Sequence, residues 1–102
     1  MKKHTLYIGL NDKDSKQQEI DSLTAFKIVL NAIRRYYDGG TVRECKGFYT
    51  HESGEVTIEN TLEVCILQAN EEKTLELIKE LKNLLNQESI ALQTETIKSE
   101  LI

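Results

Sequence analysis

The chain has 102 residues, with 13 lysines and arginines against 17 aspartates and glutamates. The resulting net charge of -4 leaves no overall basic field to hold a phosphate backbone, which disfavours nucleic-acid partners. The length suffices for one hydrophobic core without a metal or disulfide staple and predicts one domain over residues 1–102. No stretch approaches a membrane span, and the apolar run in MKKHTLYIGL is too short and interrupted for a secretory signal, so a cytoplasmic protein with no membrane contact is expected. Cys45 and Cys65 lack close spacing and sit in strand-like runs, which favours packed reduced thiols over a zinc site or a redox pair.

Residues 4–10, HTLYIGL, alternate so that Leu6, Ile8 and Leu10 face one way and Thr5, Tyr7 and Gly9 the other, the period of a half-buried strand. A polar connection, NDKDSKQQEID, follows, longer than the usual loop. From Ser22 to Tyr37 the positions Phe26, Val29, Ala32, Ile33 and Tyr36 recur at helical spacing, with Asp21 or Ser22 as N-cap and Gly39 and Gly40 as the stop. Arg34 and Arg35 fall in the last turn, where cations complement the helix dipole. Residues 41–51 and 56–68 read as two strands joined by the turn HESGE, with Gly47 marking a bulge or a close approach. Asn70 caps a second helix whose buried stripe is Ile78, Leu81 and Leu85, and Asn86 offers a left-handed stop. A last strand is expected from near Glu88, extending toward Leu101 and Ile102.

The order is β-α-β-β-α-β, so the predicted fold is α+β and ferredoxin-like: an antiparallel sheet with both helices on one face and a long hairpin between the second and third strands. Leu6, Ile8, Leu62, Val64, Ile66, Ile90 and Leu92 then meet the helices. The opposite face carries Tyr7, Gly9, Thr57, Glu59, Thr61, Glu63, Cys65, Gln93 and Glu95, polar and acidic and without the stacking aromatics of an RNA-binding sheet. The hairpin strands and the last strand look longer than the first and should overhang the sheet by roughly 10–25 Å. Bare strand edges seek partners, so a homo-oligomer is expected.

Short stretches across the chain resemble a family of small bacterial proteins of uncharacterised function: Tyr7-Ile8-Gly9, Asp38-Gly39-Gly40-Thr41-Val42, Gly47-Phe48-Tyr49, Glu59, and Asn86-Gln87-Glu88-Ser89. Tyr49 stands where that family usually has Trp and Asn86 where it has Gly, changes that keep an amphipathic slot and a left-handed position. The resemblance implies the fold and marks Tyr7, Tyr49, Glu59, Gln87 and Glu88 as candidate ligand-binding residues. In topology the chain is also similar to P-II-type signal proteins, whose trimers bind small ligands in clefts between subunits, although none of their ligand motifs is present.

On this basis the expected function is a homo-oligomeric ligand-binding or regulatory module whose pocket for a small polar molecule is lined by Tyr7, Tyr49, Glu59, Gln87 and Glu88. The bland counterpart gives Glu59 and Glu63 to a polar strand face and Gln87 to tying down its connection. A protein-protein interaction module is one alternative. Another is a metal-dependent nuclease-like enzyme, since CRISPR-associated small nucleases of similar topology hold a metal with an acidic residue after the first strand, a part open to Asp12 or Asp14. His51 beside Glu52 is weak as a metal ligand, and His4 has no supporting residue. The sequence contains no nucleophile elbow, Gly-rich phosphate loop or clustered His and Cys set, and no cofactor is expected.

Overall fold

The computed structural model describes residues 1–102. Its elements are β1 (Lys2–Gly9), α1 (Ser22–Arg34), β2 (Thr41–Thr50), β3 (Val56–Leu67), α2 (Glu71–Leu84) and β4 (Ala91–Thr96). They form one antiparallel sheet in the order β2-β3-β1-β4, the ferredoxin-like α+β fold. Even-numbered residues of β1 and β3 supply the sheet side of the core: Leu6, Ile8, Leu62, Val64 and Ile66 are wholly buried against Ala25, Val29, Ala32, Leu77 and Leu81 of the helices. No helix is long and apolar enough to cross a membrane.

Asp21, not Ser22, caps α1: its carboxylate accepts from the Thr24 N–H at 2.9 Å and from the Thr24 hydroxyl at 2.7 Å. The helix ends at Arg34, before the expected Tyr37, and neither Gly39 nor Gly40 is left-handed. The last turn tightens as the Arg35 N–H bonds back to the Ala32 carbonyl at 3.1 Å. The following Tyr37 reaches α2, where its hydroxyl bonds Asn70 and Thr74. Arg35 bridges to Glu80 of α2 at 2.5 Å. Asn70 caps α2 and Asn86 adopts the expected left-handed conformation at φ 49°.

His4 does have a supporting residue, contrary to the sequence reading. It is buried on the helix side of β1, where Nδ1 shares a 2.7 Å hydrogen bond with Thr74 Oγ1, and Thr74 shares another of 2.7 Å with Tyr37. Thr74 lies seventy residues away, so no local pattern announces it.

The hairpin projects as expected, while β4 does not. β2 and β3 pair one to one from Thr41↔Cys65 to Thr50↔Val56, with no bulge at Gly47. β1 pairs with β3 only as far as Thr61. Five residues of each hairpin strand therefore extend past the sheet, about 16 Å at 3.3 Å per residue, and the molecule measures 47 × 25 × 24 Å. Val56, Ile58 and Phe48 keep the helix-side orientation but pass beyond the helices, which leaves them 52%, 68% and 75% exposed. β4 is six residues long and matched to Lys2–Tyr7. Past Thr96 one more rung forms, from the Ile97 N–H to the Met1 carbonyl at 3.0 Å.

Candidate ligand site on the open sheet face

The face of the sheet away from the helices is ordered in cross-strand rows about 6.6 Å apart. In register these are Thr41–Cys65–Thr5–Gln93, then Arg43–Glu63–Tyr7–Ala91, Cys45–Thr61–Gly9, Gly47–Glu59 and Tyr49–Thr57. Small residues at Cys45, Thr61, Gly9 and Gly47 make a shallow floor between the second and last rows. Both cysteines are free and half-buried.

Arg43 changes the charge expected of this face. Its Nε and Nη2 donate to Glu63 Oε2 at 2.9 and 2.7 Å. The hydrogen bonds to Glu63, and then its charge, hold the guanidinium pKa above its ordinary value. Glu63 is thereby paired, which leaves Glu59 on β3 and the exposed Glu95 on the edge strand β4 as the unpaired acids of this face.

Glu59 lies across Gly9. A Cβ at position 9 would stand 2.4 Å from Glu59 Oε1, so only glycine leaves room for the carboxylate there. Glu59 Oε2 accepts the Asn11 N–H at 3.0 Å, while Oε1 has no hydrogen-bond partner within the chain. Gly47 serves a similar purpose, since a Cβ there would meet Thr61 Oγ1 at 2.8 Å.

Gln87 approaches the same residue from the other side. Nearly buried, it donates from Nε2 to the Asn11 carbonyl at 2.9 Å and to the Leu85 carbonyl at 3.3 Å. Glu59 from β3 and Gln87 from the α2–β4 connection thus hold the N–H and C=O of Asn11. Next to them, Asn86 Nδ2 donates to Asp12 Oδ1 at 2.8 Å and Asp14 Oδ2 at 2.9 Å, and Asn60 Nδ2 donates to Gln18 Oε1 at 2.8 Å. Asp12 Oδ2 also accepts the N–H groups of Asp14 and Ser15. The Asn86 bond, followed by these two N–H bonds, holds the Asp12 carboxyl below its ordinary pKa. NDKDS is therefore a self-capped turn fastened to the α2–β4 connection, and no group of three or more His, Cys, Asp and Glu residues gathers to hold a metal.

Of the five predicted site residues, Glu59 and Gln87 meet at Asn11. Tyr49 is diagonal to Glu59 on β2. Its ring packs against His51 with centroids 4.5 Å apart, and His51 Nε2 shares a 2.7 Å hydrogen bond with Thr57. Tyr7 stands two rows from Glu59, about 13 Å along the strand. Glu88 is exposed in the α2–β4 connection and bonds nothing. A separate open cleft of about 650 Å³ at the opposite end of the sheet is lined by Tyr36, Tyr37, Gly39, Gly40, Lys73 and Leu101 among others, and by none of the five. Asn11 and Gly9 were not among the candidates; two glycines in phase on one sheet face, at 9 and 47, were the available sign of a side chain lying flat between strands.

A model of the family described as "Protein of unknown function (DUF3574)" matches residues 3–100. The chain belongs to that family. Membership accords with the uncharacterised character of the resemblance noted above, and no curated protein matches the sequence. Among solved structures, this DUF3574 chain is similar to a phage SAM lyase in complex with S-methyl-5'-thioadenosine, with TM-score 0.69 and 22% identity over 92% of this chain and 79% of that one. It is similar to a CutA1 variant from Pyrococcus horikoshii OT3, with TM-score 0.60 and 19% identity over 99% and 87%. A DUF3240 family protein from Shewanella baltica gives TM-score 0.55 and 9% identity over 99% and 94%. At these identities the likeness is one of fold.

Proposed function

We propose that this DUF3574 protein is a homo-oligomeric module, P-II-like in its use of the fold, that binds a small polar ligand on the open sheet face around Glu59. The carrying observation is the Glu59 carboxylate itself, fixed over Gly9 by the Asn11 N–H with one oxygen left without a partner. A pre-positioned acceptor loses little freedom on binding, and a charged one favours a ligand with an N–H or O–H donor or a positive charge. Tyr49, half exposed beside it, offers an apolar ring with a polar handle. The exposed Phe48, Ile58 and Val56 favour assembly, since grouped apolar side chains mark contact surfaces. Tyr7 is too far from Tyr49 to share one small ligand within a protomer; the two frame a common cleft only if supplied by different copies.

The test is thermal shift on protein of measured oligomeric mass, with SAM, S-methyl-5'-thioadenosine, adenine nucleotides and divalent metals as probes. The first two are chosen because the phage SAM lyase of similar fold holds S-methyl-5'-thioadenosine. Selective binding to the native state raises its melting temperature, and Glu59→Gln should abolish the shift. A shift that survives Glu59→Gln places the ligand elsewhere, with the Tyr36–Tyr37 cleft next to probe. An oligomer that answers to no probe favours a protein-interaction module.

A further inference from the structure

The projecting hairpin leaves one strand edge bare. The His51 N–H bonds the Glu55 carbonyl at 2.8 Å, so antiparallel alternation turns the backbone groups of Thr57 and Glu59 toward β2 and those of Val56 and Ile58 away from it. The same parity appears where the Leu10 N–H meets the Asn60 carbonyl at 2.9 Å, the last bond on that side. Beyond it, no strand pairs with Val56 and Ile58. Their side chains, with Phe48, are exposed on the helix-side face.

At the other end of the sheet, Ile97–Ile102 has the complementary properties. Past the Ile97–Met1 rung it pairs with nothing, and Leu101 and Ile102 are fully exposed. In an extended strand Ile97 and Leu101 share one face, with Lys98 and Glu100 on the other.

We propose that residues 97–102 of one copy add antiparallel, as a fifth strand, along the Val56–Ile58 edge of a second copy, with Leu101 opposite Val56 and beside Ile58. Lys98 then lies on the open face near Glu59, and a second copy walls one side of the candidate site. Charge favours this occupant over self-pairing of two hairpin edges. Pairing Val56 with Ile58 across a two-fold axis sets Glu55 opposite Glu59 twice, and like charges directly opposed destabilise a sheet. In the tail register Lys98 meets Glu59 and Glu100 meets Thr57, so these side chains oppose no like charge. Such a contact is head-to-tail, so it closes into a ring or continues as a filament.

The inference rests on the oligomer proposed above and is tested by complementation between Ile58→Asp and Leu101→Asp, both at exposed positions. By size-exclusion chromatography with light scattering at tens of micromolar, the native chain should exceed its monomer mass of 11.7 kDa. Each variant alone should be monomeric. An equimolar mixture should give a one-to-one dimer, because one variant keeps an intact edge and the other an intact tail. If Leu101→Asp stays oligomeric while Ile58→Asp does not, the hairpin edges pair with each other and the tail-strand proposal is overturned, leaving the oligomer standing. A monomeric native chain removes both, and the Glu59-dependent thermal shift is read independently. Ile58→Lys replaces the aspartate variant should the latter lose its cooperative melt.

Discussion

Gly9→Ala tests whether Glu59 is held where the structure puts it. The new methyl carbon would stand 2.4 Å from Oε1, 2.6 Å from Cδ and 2.7 Å from Oε2 of Glu59. The carboxylate is the free end of a flexible side chain, so it swings away before the strand yields, and the Asn11 N–H loses its acceptor. A hydrogen bond to a charged group contributes about 1.5–3 kcal/mol, and the part-buried setting places this one toward the lower end. Gly9 has no positive φ, so alanine also gains about 0.4–1 kcal/mol by restricting the unfolded chain. The net expectation is a loss of about 1 kcal/mol, or about 4–8 °C in melting temperature, measured by urea denaturation. In a Glu59→Ala background the obstacle is gone, and Gly9→Ala should stabilise by about 0.4–1 kcal/mol. The change of sign is the signature of direct coupling. Equal destabilisation in both backgrounds would refute the reasoning, because the carboxylate would then not be what alanine displaces.

Thr74→Val keeps the shape of a wholly buried residue but deprives His4 and Tyr37 of a shared partner; a loss of about 1–3 kcal/mol in denaturant is expected. Asn86→Ala should cost more than Asn86→Gly, by about 1 kcal/mol, because both lose the bonds to Asp12 and Asp14 and only glycine relieves the left-handed backbone at φ 49°. Asp12 and Asp21 are both held below the ordinary carboxylate pKa by hydrogen bonds, chiefly from Asn86 and Thr24 respectively. Their contribution is therefore present above the ordinary value of about 3.9 and disappears as pH falls through the lower folded value. An acid titration of stability should show a shallower fall below pH ~4 in Asp12→Asn and Asp21→Asn than in the native chain.

The element order and most of the core were legible because both depend on short-range periodicity: Leu6 and Ile8 alternate within β1, and Val29, Ala32 and Ile33 recur along α1. Even so, the stripe read on α1 included Phe26, which is half-buried, and missed Ala25, which is wholly buried. The end of β4 does not follow from its own residues because strand length depends on the partner, and β4 is matched only to Lys2–Tyr7 of β1. His4 went without its threonine for the same reason, and so did the pairing of Arg43 with Glu63, which only register reveals. At the candidate site the residue types at 59 and 87 stood out, but their common target, a backbone peptide at Asn11, carries no side-chain signature in the sequence.

The fastening of residues 11–18 bears on how the protein opens. A polar connection of this kind would ordinarily exchange its amide hydrogens within the fastest class. Here the amides of Asn11, Asp12 and Lys13 are bonded respectively to Glu59 on β3, to Gln17 across the loop and to Asn86 after α2. Releasing the loop means losing its ties to the Glu59 side chain and to the connection after the second helix together. The Asn11 and Lys13 amides should accordingly exchange more slowly than those of an untethered polar loop.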